Sequence, residues 1–123
     1  MIDRKANITP HFKWGELIRP EDPDPSPVVV LNLQRLAKRL EEIRVMLGKP
    51  MFITSGYRTQ AHNKAIGGAK ESYHLRGLAA DFMVEDMPPA KVQELLKDHP
   101  GGLGSYKTFT HVDVRPYKAR WKG

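Results

Sequence analysis

The chain has 123 residues, 40% of them hydrophobic and 28% charged, with ten glycines, ten prolines and no cysteine. That composition suits one folded domain with a modest core, and it excludes wholesale disorder, disulfides, thiolate metal sites and a cysteine nucleophile. The net charge of +6 favours polyanions but does not choose among nucleic acid, anionic lipid and anionic cell wall.

The N-terminus, MIDRKANITPHF, lacks the apolar centre of a signal peptide. The most apolar run, PVVVLNL, falls far short of the ~18 to 20 residues of a spanning helix. A protein with no membrane span, cytoplasmic as synthesised, is therefore expected. ITPHFKWGELIRP reads as a short helix, with Thr9 as N-cap, Pro10 at the first helical position, and Phe12, Trp14, Leu17 and Ile18 as an apolar anchor. RPEDPDPSP then breaks it with a rigid surface connection. Val29, Leu33, Leu36, Leu40, Ile43 and Leu47 follow at alternating steps of four and three, the stripe of a helix that covers a sheet and stops at Gly48 and Pro50.

MFITS, Met51 to Ser55, is short and β-prone and reads as a strand. GYRTQAHNKAIGGAKESYH is a long polar excursion, and loops of that length in a small domain tend to carry function. GLAADFMV reads as a second strand and PPAKVQELLKD as a helix. HPGGLGSY is a Gly-rich turn leading into a third strand, and FTHVDV is a fourth. RPYKARWKG, with Arg115, Lys118, Arg120 and Lys122 and no acid, reads as a solvated basic tail. The sum is an α+β fold with helices on one face of a small, mostly antiparallel sheet, leaving the other face for a site.

Strand parity locates that site. Leu78, Ala80, Phe82 and Val84 share one face of GLAADFMV, so Asp81 lies on the other. In FTHVDV, Thr110, Val112 and Val114 face the core, and His111 and Asp113 project together from the opposite side. His74 precedes the first of these strands by a Gly-containing turn that can return it over Asp81. Two imidazoles and one carboxylate make a catalytic zinc set with a fourth position open to water, although a polar residue on a half-exposed sheet face also occurs without a metal.

SGYRT at 55–59, HN at 62–63, GGA at 67–69, SYHLRGLAAD at 72–81, and GGLGSY followed by FTHVDVR form an ordered series. It resembles the zinc D-alanyl-D-alanine carboxypeptidase family, in its small peptidoglycan-peptidase branch, whose fold is shared with the hedgehog signalling domain. The resemblance implies His74, Asp81 and His111 as ligands of one Zn2+. It implies Arg58 as the group that polarises the scissile carbonyl, and Ser72 as a contact for the substrate's terminal groups, unless Ser72 only caps a turn. Tyr57, Tyr73 and Tyr106 are candidates to flank a peptide, with Tyr57 counted among the substrate-binding residues.

Better-known members of that family place an acid or a histidine two or three residues before the last histidine ligand. Phe109 and Thr108 occupy those positions here, and neither can serve as a base. Asp113 is the replacement candidate, with two open roles: general base, or a group that orients a histidine ligand. His99 reads as a carbonyl cap, His11 as part of the N-terminal anchor, and His62 as a structural hydrogen-bonding group near the cleft.

The expected function is zinc-dependent hydrolysis of peptidoglycan stem peptides, either removal of a C-terminal D-alanine or endopeptidase cleavage, as in a phage-type lysin released to the wall by another protein. A catalytically inactive zinc-containing binding module on the same fold is the alternative. Specific nucleic-acid binding is not expected, because the chain lacks a stacking pattern or a recognition helix. A monomer is expected.

Overall fold

A computed structural model describes residues 1–123. The chain opens with a two-stranded ladder, β1 (Asn7–Thr9) and β2 (Phe12–Lys13), and then a single helical turn, α1 (Trp14–Leu17). The main helix, α2, runs from Pro27 to Leu47. After β3 (Met51–Ser55) come α3 (Gln60–Ala65), a 3-10 turn (Tyr73–Arg76) and β4 (Ala79–Val84). The chain continues through α4 (Pro89–Leu95), β5 (Gly102–Ser105), β6 (Thr110–Asp113) and β7 (Ala119–Lys122). The five-stranded sheet has the order β3-β4-β6-β5-β7, antiparallel throughout except for the parallel pair β5–β7.

Helix α2 forms where its stripe and its ends predict. Ser26 accepts a hydrogen bond from the Val29 N–H, Pro27 occupies the first turn, and Gly48 closes the helix in the left-handed conformation. Leu33, Leu36, Ala37, Leu40 and Ile43 are buried against Ala80, Phe82, Leu103 and Val112 of the sheet, and Val92 and Leu96 from α4 join the same cluster. Each large side chain so buried contributes about 1.5–3 kcal/mol, so one sheet face is committed to the core. This is the α+β arrangement expected, and no helix is long and apolar enough to cross a membrane.

Four local expectations are corrected. The helix expected from Thr9 begins only at Trp14, because the preceding residues are tied into a hairpin. The Asn7 amide donates to the carbonyls of Thr9 and Pro10, and the His11 N–H donates to Glu41 of α2, which also holds the His11 ring. The polar excursion is partly ordered into α3, whose Thr59 cap accepts from the His62 N–H. At six residues it is too short to show a helical period.

The third correction concerns the C-terminal segment. Ala119–Lys122 is not a solvated tail but strand β7, with Ala119 and Trp121 half-buried and Arg120 and Lys122 exposed. Arg120 donates to carbonyls of Gly101, Lys97 and His99, fastening the strand to the end of α4. The glycine run that read as a turn is itself strand β5. A Cβ at Gly104 would come within 2.7 Å of the Trp121 indole, and one at Gly102 within 2.3 Å of the Asp113 carboxylate. Only glycine lets the indole and the carboxylate lie that close to the strand.

Candidate metal centre and cleft

Antiparallel pairing sets Asp81 of β4 directly opposite His111 of β6, both on the face turned away from α2. The His111 Nδ1 lies 2.9 Å from Asp81 Oδ1. His74, on the 3-10 turn, returns over the strand so that its Nε2 lies 3.2 Å from the same oxygen. The Ser72 side chain caps that turn by accepting from the His74 N–H at 3.2 Å. The His74 carbonyl accepts from the Arg58 N–H at 3.1 Å. All three residues are buried, and their donor atoms lie within 4.8 Å of one another.

The far side of each ring is already engaged. His74 Nδ1 donates to the Gly56 carbonyl at 2.7 Å, and His111 Nε2 donates to Asp113 Oδ2 at 2.8 Å. With those tautomers the remaining nitrogens, His74 Nε2 and His111 Nδ1, present lone pairs to a carboxylate oxygen. Three acceptors converge with no donor between them, so either added protons or a cation must sit there. The donor set of two imidazoles and one carboxylate fits a divalent metal such as zinc, and outward hydrogen bonds of this kind orient histidine ligands.

The electrostatics agree. Burial pushes the Asp81 carboxyl up, but hydrogen bonds from His111 and His74 outweigh it and hold the group well below the usual carboxylate range. Burial works against charge on His111, yet Asp113 and Asp81 raise it above the ordinary imidazole value. Burial also opposes ionisation of Asp113, which Arg115 and then His111 overcome by hydrogen bonding, leaving it depressed.

Asp113 is fully buried and does not line the cleft. Its Oδ1 accepts from the N–H groups of Gly102 and Arg115 and from Arg115 Nε, and its Oδ2 from His111 and from Arg115 Nη2. Of its two expected roles, this environment favours orienting His111 over taking a proton from water. His99, also buried, donates from Nε2 to the Asp113 carbonyl at 2.9 Å.

Arg58 sits beside the three donors. Its Nη2 lies 3.3 Å from Asp81 Oδ2, Nε donates to Ser55 at 3.0 Å, and Nη1 donates to Asn63 at 3.3 Å. Three of its five N–H donors are used, which leaves two for a ligand. Burial lowers its pKa and the charge of Asp81 partly restores it.

Around these groups lies a cleft of about 490 Å³. Arg58, Ser72, His74, Asp81 and His111 line it, and Tyr106, Phe109, Tyr73, Arg115 and Trp121 form its walls. Tyr106 and Phe109 stack at 4.3 Å, and the Arg115 guanidinium lies 4.4 Å from the Tyr73 ring and 5.1 Å from Trp121. Tyr57 is elsewhere: its ring packs against the core and borders a separate hollow with Ile53 and His62, so neither Tyr57 nor His62 reaches this cleft. Just past β3, the Tyr57 N–H donates to the Leu17 carbonyl of α1 at 2.8 Å. Sequence reasoning missed Trp121 and Arg115. The signal available was the alternation of ARWK, which a count of charges conceals.

A cleft floored by two histidines and an aspartate, on a mostly antiparallel sheet backed by helices, defines a class, and the comparison with known families agrees. Residues 10–113 match the Peptidase M15 family, and the chain belongs to it. The resemblance drawn from its motifs is borne out. The chain is similar to the probable peptidoglycan L,D-endopeptidase MepK of Haemophilus influenzae, 38% identical over 96 residues, covering 75% of this chain and 50% of that protein. It is also similar to the peptidoglycan L,D-endopeptidase MepK of Escherichia coli K12, 34% identical over 91 residues, covering 66% of this chain and 50% of that protein. The chain thus spans about half the length of the curated relatives it matches.

Proposed function

We propose that this protein is a zinc-dependent peptidase that hydrolyses stem-peptide bonds of peptidoglycan. The observation that carries the reading is the convergence of His74 Nε2, Asp81 Oδ1 and His111 Nδ1 at the floor of a cleft, in a chain of the Peptidase M15 family. The similarity to two proteins named as peptidoglycan endopeptidases supports the substrate, and favours an internal peptide bond over removal of a terminal D-alanine. The net charge of +6 suits approach to an anionic wall.

His74, Asp81 and His111 would hold the ion, which when bound supplies acidified water and polarisation of a carbonyl. The chain's own groups do the rest. Asp113 holds the His111 ring in the tautomer that turns Nδ1 inward, and the Gly56 carbonyl does the same for His74. Arg58 offers its two free N–H groups to the scissile carbonyl oxygen, where negative charge develops. Ser72 keeps its hydroxyl hydrogen for a polar group of the substrate, since its oxygen already accepts from the His74 N–H.

The test is a digest of purified peptidoglycan by the zinc-loaded protein and a His74→Ala control, read by mass spectrometry. A cleaved peptide bond absent from the control is expected, and its position distinguishes endopeptidase from carboxypeptidase. A second reading, a zinc-containing binding module without turnover, is favoured by the absence of an acid or histidine at 108 and 109 and by the burial of Asp113. Bound zinc with no released product would support it.

A further inference from the structure

Tyr106 stands at the end of β5, where the chain turns toward β6. Its ring is clamped by the stacked Phe109 ring on one side and lies so close to Gly123 that a Cβ there would overlap it at 2.0 Å. Its carbonyl accepts from the Gln93 amide of α4 at 3.1 Å. The phenol oxygen accepts a hydrogen bond from Trp121 Nε1 at 2.9 Å. Trp121 in turn lies across Gly104, with its ring centroid 5.0 Å from that of the metal-site residue His111. The phenol is also within electrostatic reach of the Arg58 guanidinium.

These contacts have a chemical consequence. The indole N–H can only donate, so it occupies an acceptor position of the phenol oxygen and leaves the phenol hydrogen uncommitted. No protein group accepts that hydrogen, and the side chain lines the cleft beside Arg58, His74 and His111. A phenol fixed in this way, over a site whose neighbouring positions 108 and 109 hold no acid or imidazole, is a preorganised hydrogen-bond donor.

From this geometry we infer that Tyr106 is a catalytic residue. Its O–H donates a hydrogen bond to the carbonyl oxygen of the scissile peptide bond as the carbon becomes tetrahedral, working together with Arg58. The phenol keeps its proton throughout this step. Water adds to the carbonyl carbon, the C–N bond breaks, and the amine leaves with a proton from that water, while the phenol only stabilises the transient charge on oxygen. The inference rests on the hydrolytic function proposed above. The phenol's place is set by the fold, through Trp121 and Phe109, and not by the bound ion.

The test is Tyr106→Phe, which keeps the ring and its stacking on Phe109 and removes only the hydroxyl. Zinc content is expected to match the wild type, Tm to fall by no more than about 5 °C through loss of the Trp121 hydrogen bond, and KM for a soluble muropeptide to stay close to the wild-type value. The kcat is expected to fall about 100-fold or more, the usual loss for one such donor. A phosphinic peptide that copies the tetrahedral carbon, titrated calorimetrically, should bind the variant at least about tenfold more weakly than the wild type, because its oxyanion meets the missing donor. A variant that keeps kcat within about threefold and binds the phosphinic peptide unchanged, beside an active wild type, overturns the role of Tyr106 alone. A zinc-loaded wild type that cleaves no muropeptide overturns the hydrolytic reading and this inference with it.

Discussion

Replacing Asp113 by asparagine separates the two roles open to it. The substitution conserves shape, but one carboxylate oxygen becomes an NH2 group. Whichever way the amide turns, that NH2 faces donors: His111 Nε2 and Arg115 Nη2 at 2.8 and 2.7 Å on one side, or Gly102 N and Arg115 Nε at 3.0 and 2.8 Å on the other. Two charge-assisted hydrogen bonds are lost, each worth about 1.5–3 kcal/mol. Arg115 borders the cleft and can turn partly to water, so the low end applies, about 3 kcal/mol in all. For a chain of 123 residues that is a drop in Tm of about 10 °C. The His111 ring also loses the acceptor that sets its tautomer, which should weaken zinc binding about 10- to 100-fold. Thermal unfolding of the metal-free protein measures the first effect, and competition with a chromophoric chelator the second. If Asp113→Asn instead keeps wild-type stability and zinc affinity while turnover vanishes, the orienting role is wrong and Asp113 is the base.

Three further outcomes follow from the same geometry. Treatment with a chelator, or His74→Ala, should abolish hydrolysis, and zinc should restore only the chelated wild type; an active, metal-free His74→Ala protein would refute the ligand assignment. In the metal-free protein His111 has a raised pKa, so its contribution to stability is complete below its unfolded value of ~6.5 and is lost as pH rises through the folded value. The depressed carboxyls of Asp81 and Asp113 act oppositely: their contribution is present above ~3.9 and lost on acidification below it. A pH series of Tm without metal should therefore peak in mildly acid solution and fall toward alkaline pH, and added zinc should cancel the alkaline fall by replacing the proton. Gly104→Ala should cost about 1–3 kcal/mol by pushing the indole off the strand, and tryptophan fluorescence should report the displacement.

The core and the common face of Asp81 and His111 were legible because both depend on periodicity. The α2 stripe has a period near 3.6, and the alternation in GLAADFMV and FTHVDV has a period of two, so burial of Leu36 and Phe82 and the common face of Asp81 and His111 follow from position alone. The hairpin at residues 7–13 was not legible, because it depends on a long-range partner, Glu41, and on an Asn7 side chain replacing backbone bonds. Nor was β7, whose partner β5 is a glycine run with no strand pattern of its own. Tyr57 illustrates a further limit. Its neighbour Arg58 enters the cleft and Tyr57 does not, because adjacent side chains on extended chain point opposite ways.

Strand β7 divides the cleft by ownership. The three donors lie between residues 74 and 111, inside the stretch matched to Peptidase M15, whereas Trp121 lies past residue 113, outside it. The three donors and one wall residue, Trp121, thus come from different pieces of chain, joined by the parallel ladder of β5 and β7 and by the Arg120 hydrogen bonds. Loss of the chain beyond Lys118 would leave His74, Asp81 and His111 in place, yet would remove the Trp121 N–H bonded to the Tyr106 phenol. Metal content would therefore be a poor witness to an intact site, and the state of the indole a better one.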